Sequence, residues 1–148
     1  MLFKNDESSL KLEILRYEFP AGEGQADSDD CNWLVLRGTY TDEDGRVIVD
    51  SQACLLTYEL REMAAGLKVL RAGVKDEYES GFVENGFFSL FAQSDGENAF
   101  VVDVSFALPN TMEDLDAAEL ECTMTAQELR DLTDELDALC EKYPDRKN

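Results

Sequence analysis

Carboxylates are the side chains this sequence offers for chemistry in any number, and histidine, the usual general base, does not occur in it. Without histidine, Ser-His-Asp and Cys-His nucleophilic sites are excluded. No glycine-rich loop has phosphate-cradling or dinucleotide-binding spacing, and there is no HExxH. What remains is a glycosidase-like carboxylate pair or an oxygen-ligand metal site. The segment Asp42-Glu43-Asp44-Gly45 superficially fits the second. Tyr40 stands where an earlier acidic ligand is wanted, and no bidentate glutamate follows at the needed distance. The segment therefore reads as a hairpin turn with glycine at a positive φ. Asp27, Asp29 and Asp30 read as a solvated loop. Asp103 and Glu84 fall on or near predicted strands, where only an inward-facing carboxylate would mark a site.

The four cysteines, Cys31, Cys54, Cys122 and Cys140, include no CxxC pair. A structural zinc site needs closely paired Cys or His ligands, so no metal or cofactor is expected and the thiols read as free. Cys54 and Cys140 sit among apolar residues and should be buried as small hydrophobes.

These residues must be positioned by a chain of 148 residues, the usual size of one domain, with its structured core over about 10–143. Apolar residues make up 44% of it, enough for a real core. Alternation from Leu10 to Phe19 predicts a half-buried strand. Asn32 to Thr41 is a second strand, and its run Trp33-Leu34-Val35-Leu36 suggests burial on both faces, with Trp33 in the core. Arg46 to Leu56 returns as its hairpin partner. Thr57 is the expected N-cap of a helix reaching about Ala72, with Leu60, Met63, Leu67 and Leu70 at helical spacing and Gly73 as the stop. A short strand is expected at Gly81 to Glu84. Phe87 to Gln93 and Ala99 to Leu108 form a second hairpin, in which one of Phe87 and Phe88 should be core and the other either covered by a helix or left exposed as a patch. Glu119 to Met124 is a last strand. Thr125 and Glu128 have capping-box spacing before a helix that reaches about Lys142. Residues Asp145 to Asn148 should fray. Glu59-Leu60-Arg61-Glu62-Met63 is echoed by Glu128-Leu129-Arg130-Asp131-Leu132. The fold class is α+β: a mostly antiparallel, twisted sheet of five to seven strands with two helices on one face.

Charge limits the partners. Thirty-three acids against thirteen bases give a formal net charge of −20. Such a chain repels nucleic acid and anionic membranes and attracts basic proteins. No secretory signal or membrane-length apolar run is visible, so a cytoplasmic location is expected. The clustered acids Asp27, Asp29, Asp30, Asp42, Glu43 and Asp44, with Asp131, Asp134 and Glu135 on the outer face of the last helix, are the candidate partner-binding residues. The competing readings are an acidic regulatory domain, with a homodimer joined at a sheet edge or helix face, and a carboxylate enzyme, which the missing motifs disfavour.

Four short stretches, in order, resemble the WapI-family immunity proteins. They are Asp30-Cys31-Asn32-Trp33-Leu34 entering a strand, Cys54-Leu55-Leu56-Thr57-Tyr58-Glu59-Leu60 at a strand-to-helix junction, Phe82-Val83-Glu84, and Lys142-Tyr143-Pro144-Asp145-Arg146. The resemblance spans about Leu10 to Arg146. It implies a cytoplasmic antidote to a contact-dependent toxin whose C-terminal domain cuts RNA. Such a domain needs a basic surface, for which this acidic chain would be a steric and electrostatic plug.

Overall fold

The structure is a computed structural model, which describes residues 1–20, 29–107 and 118–146. Among the described residues, eight strands and two helices follow one another as β1 (Leu2–Lys4), β2 (Ser9–Tyr17), a 3-10 turn (Asp29–Asn32), β3 (Trp33–Thr41), β4 (Val47–Leu56), α1 (Thr57–Arg71), β5 (Glu77–Glu79), β6 (Phe88–Ser94), β7 (Ala99–Phe106), β8 (Ala118–Thr125) and α2 (Ala126–Lys142). The α+β class holds, but the strands divide into two antiparallel four-stranded sheets instead of one. The orders are β1-β2-β3-β4 (sheet A) and β5-β6-β7-β8 (sheet B). The chain is thus two successive four-strand meanders, each closed by a helix. The echoed segments occupy the same place in both halves, with Glu59 and Glu128 third in their helices.

Alternation dictates the sheets' inner faces. Phe100, Val102, Val104 and Phe106 on β7 are buried, and so are Leu120, Cys122 and Met124 on β8. They join Leu10, Leu12, Leu34 and Leu36 of sheet A, and Leu60, Met63, Leu67, Leu129, Leu132 and Leu136 of the helices, in one core. Each such large side chain contributes about 1.5–3 kcal/mol by leaving water. The helices pack on each other; α1 also meets β4, β5 and β6, and α2 meets β7 and β8.

Leu34, Val35 and Leu36 are all buried, as their continuous run suggests, whereas Trp33 is only half-buried. Gly45 (φ 81) allows the β3–β4 turn, and Gly73 (φ 77) stops α1. The capping box of α2 forms as its spacing predicts: Thr125 Oγ1 accepts from the Glu128 N–H, and the Glu128 carboxylate accepts from the Thr125 N–H.

Several expectations are corrected. β1 precedes the first expected strand. Its three residues are too short for periodicity, yet Phe3 is fully buried, 6.4 Å from Phe88 between ring centroids. The short strand lies at Glu77–Glu79 and not at 81–84. There Phe82 plugs into the core, stacked on Phe88 at 5.5 Å, and Val83 is exposed. Of the two alternatives left open for the second phenylalanine, the covered one holds: Phe87 and Phe88 are both buried, because Phe87 precedes β6 and is free of its alternation. Leu56, not Thr57, is the N-cap of α1. Asp145 and Arg146 do not fray; both are held by side-chain hydrogen bonds. Cys54 is buried and Cys140 half-buried. Among the described residues no helix is long and apolar enough to cross a membrane.

Candidate interaction surface

The acids selected from the sequence fall in separate places. Asp27 lies outside the described residues, Asp29 opens the 3-10 turn, and Asp30 beside it is half-buried. Asp42 is not a free surface charge. Its carboxylate accepts the backbone N–H of Arg46 (2.9 Å) and of Asp44 (3.0 Å) and pairs with Arg46 Nε at 2.9 Å. The Arg46 amide, reinforced by its guanidinium, holds this carboxyl below the usual range. Asp42 is the organiser of the turn, while Glu43 and Asp44 project into solvent at its tip. On α2, Asp131 accepts from Gln127 Nε2, Glu135 pairs with the Met1 ammonium at 2.7 Å, and Asp134 is exposed. Asp131 and Glu135 line a groove of about 230 Å³ with Leu2, Lys4 and Met124. A different groove, of about 510 Å³, takes in the β3–β4 turn with Asn5, Glu7 and Glu119. The structure does not unite the selected acids.

A different set is united by strand register. On the outer face of sheet B, Glu79 pairs with Phe91, Phe91 with Asp103, and Asp103 with Glu121, a straight row across four strands. The neighbouring rows add Glu77 and Glu119 on the same face. Among the described residues none of these five carboxylates makes an ion pair. Phe91 is half-buried between them, and a hollow of about 230 Å³ is lined by Glu79, Ser89, Phe91, Asp103, Ser105 and Glu119. Sheet A differs. Its outer face carries Lys4, Lys11 and Arg37 against Glu13, and Arg37 and Lys11 reach Glu13 at 3.2 and 3.9 Å. The sequence signal for the acidic row was the alternation Val101-Asp103-Ser105 and Glu119-Glu121-Thr123. It locates each residue on a face but cannot say which faces adjoin. Glu84, the other carboxylate considered, accepts the Gly86 N–H at 3.1 Å in an exposed bend. Among the described residues no three His, Cys, Asp or Glu gather as a metal site.

The four motif stretches meet through side chains. Arg146 lays its guanidinium 3.6 Å from the centre of the Tyr17 ring. It donates from Nε and Nη2 to the Cys31 carbonyl and from Nη2 to the Phe19 carbonyl, and its N–H donates to Asn32 Oδ1 at 2.7 Å. Asp145 accepts from the Thr57 hydroxyl and from Arg61. Glu59, 2% exposed, accepts the Leu56 N–H at 3.0 Å and the Val83 N–H at 2.7 Å. These residues therefore bolt both halves and the C-terminal segment together. A family model described as the immunity protein WapI-like family matches residues 1–144. The chain belongs to the WapI-like immunity protein family. In this WapI-like chain, Glu59, Thr57, Asn32, Asp145 and Arg146 are framework, and the acidic surfaces lie elsewhere. No curated protein matches the chain. A chain from the structure of a guide-RNA-binding protein complex bound to a gRNA is similar at 12% identity and a TM-score of 0.44, covering 89% of each chain. A likeness that remote carries no functional argument.

Proposed function

We propose that this WapI-like protein is a cytoplasmic antidote that binds and neutralises a cognate toxin domain, a basic RNA-cleaving one, by obstruction and charge and without catalysis. The observation that carries the reading is the family match over 1–144. The net charge of −20 supports it. A toxin that holds RNA must present Lys and Arg to phosphates, and carboxylates can occupy those positions while the bulk of the inhibitor closes the cleft. Opposite charge also speeds capture, which matters for an antidote that must act before RNA is cut.

The test is co-expression and co-purification with the product of the neighbouring gene, followed by an RNA-degradation assay. A one-to-one complex should form, RNA should survive in its presence, and protection should weaken as salt rises. RNA degraded equally with and without the protein would reject the reading. One observation favours a second reading, self-association. β4 is an edge strand, and Val47 and Val49 on it are 57% and 46% exposed. Sedimentation at high salt, where repulsion between two −20 copies is screened, would reveal such a dimer.

A further inference from the structure

Resting on the reading above, we infer that the outer face of sheet B, centred on the row Glu79–Phe91–Asp103–Glu121, is the surface on which the basic toxin domain docks. The turn and helix acids singled out from the sequence are not.

Three independent features of this face point to a cationic protein. The first is charge kept against the sheet's own interest. Asp103 and Glu121 are directly opposed cross-strand neighbours, an arrangement that destabilises a sheet. Backbones there are about 4.8 Å apart. Glu13, Asp42, Asp137 and Asp145 have basic partners; all five carboxylates here, like the exposed Glu43 and Asp44, make no ion pair among the described residues, and two of them directly oppose each other. A surface that breaks a local rule with no local compensation is where function is to be sought.

The second feature is shape. The hollow lined by Glu79, Phe91, Asp103 and Glu119 has carboxylates on its rim and an aromatic ring among them. A guanidinium fits that combination doubly, through charge-assisted hydrogen bonds and by stacking on the ring. Aromatic side chains in such settings are the usual anchors of protein interfaces.

The third feature is polarity of the whole molecule. Sheet A's outer face carries Lys4, Lys11 and Arg37, the last two ion-paired with Glu13, so the negative charge is concentrated on sheet B's face by comparison. A cationic partner is turned towards sheet B before contact. The row crosses all four strands of the sheet, an extent that suits a folded partner, and its acidity rejects nucleic acid.

The experiment uses the full chain in two arms. In the first, the neighbouring gene's product is titrated calorimetrically with wild type, with Glu79→Gln/Asp103→Asn/Glu121→Gln, and with Glu43→Gln/Asp44→Asn. The sheet variant should lose at least thirtyfold in affinity and most of the salt dependence, with melting temperature unchanged or raised. The turn variant should stay within threefold of wild type. Glu121→Lys provides a check on folding. It places a base opposite Asp103, so it should melt higher and still bind worse, which a merely structural role cannot produce. Wild-type affinity in the folded sheet variants, or loss confined to the turn variant, overturns the assignment. In the second arm, nona-arginine is titrated into the isotopically labelled protein. Amide shifts should concentrate at residues 89–91, 103–105 and 119–121; shifts concentrated at 42–46 or on α2 overturn it. If the neighbouring product ignores wild type while nona-arginine maps to sheet B, the antidote reading fails and the cation-binding surface stands.

Discussion

Replacing Glu59 with alanine should unlock the junction between the two halves of the fold. The carboxylate is 2% exposed and accepts two backbone N–H groups, one from Leu56 at the start of α1 and one from Val83 in the second half. Alanine leaves both donors without an acceptor. The Leu56 N–H is buried and the Val83 N–H only partly so, and at about 1–3 kcal/mol for a fully buried orphaned group the loss is about 3 kcal/mol. For a chain of this size that lowers the melting temperature by roughly 9 °C. Glutamine keeps one acceptor oxygen, so Glu59→Gln should lose about half as much. Urea unfolding followed by circular dichroism measures this directly. The midpoint should fall in the order wild type, glutamine, alanine, with the slope unchanged. An alanine variant within 1 kcal/mol of wild type would refute the idea that this side chain joins the halves.

Three further outcomes are expected. Gly66→Ala, which normally strengthens a helix by about 1 kcal/mol, should destabilise here, because the new Cβ would lie 2.3 Å from Tyr78 Cδ2. In a Tyr78→Ala background thermal melting should show the sign reversed. The Arg61 hydrogen bond, then that of Thr57, holds the Asp145 carboxyl below its usual range. Its contribution is therefore full above the unfolded value of about 3.9 and is lost as pH falls through the depressed folded value. The stability gap between wild type and Asp145→Asn should be constant from neutral pH to about pH 5 and close below about pH 4, as denaturant midpoints will report. Burial pushes the thiol of Cys54 up to about 12 and that of Cys122 to about 11, whereas Cys140 is half-exposed. Iodoacetamide at mildly alkaline pH should label Cys140 first, read by mass spectrometry. Cys54 labelled as fast would contradict the packing.

Long periodic elements were legible from residues alone. The α2 stripe of Leu129, Leu132 and Leu136 and its Thr125/Glu128 box needed no tertiary information, nor did the alternation of β7. Short pieces were not legible. Three residues of β1 and three of β5 carry no period, and they become strands because β2 and β6 are there to pair with them. The chain from Asp145 on reads as a polar tail until Tyr17, Phe19 and Cys31 are seen around Arg146. The placement of acids was hidden for a related reason. A sequence displays acids that are neighbours along the chain, so Asp42-Glu43-Asp44 stood out, though Asp42 is consumed by its own turn. Glu79, Asp103 and Glu121 are far apart in sequence and become neighbours through strand register alone.

Each sheet is finished within its own half of the chain, since within a sheet every strand bonds to the next one along it. The first half has its strands and its helix before any of β5 to α2 has left the ribosome, and its loop closures are short. Until the second half arrives, however, the side of α1 that α2 covers is bare to water. For some seconds of synthesis the nascent chain is a half-built body with an oily flank, the kind of species on which aggregation begins. Its numerous acidic side chains then act as a solubilising coat, so the charge carried by the finished protein also guards its assembly.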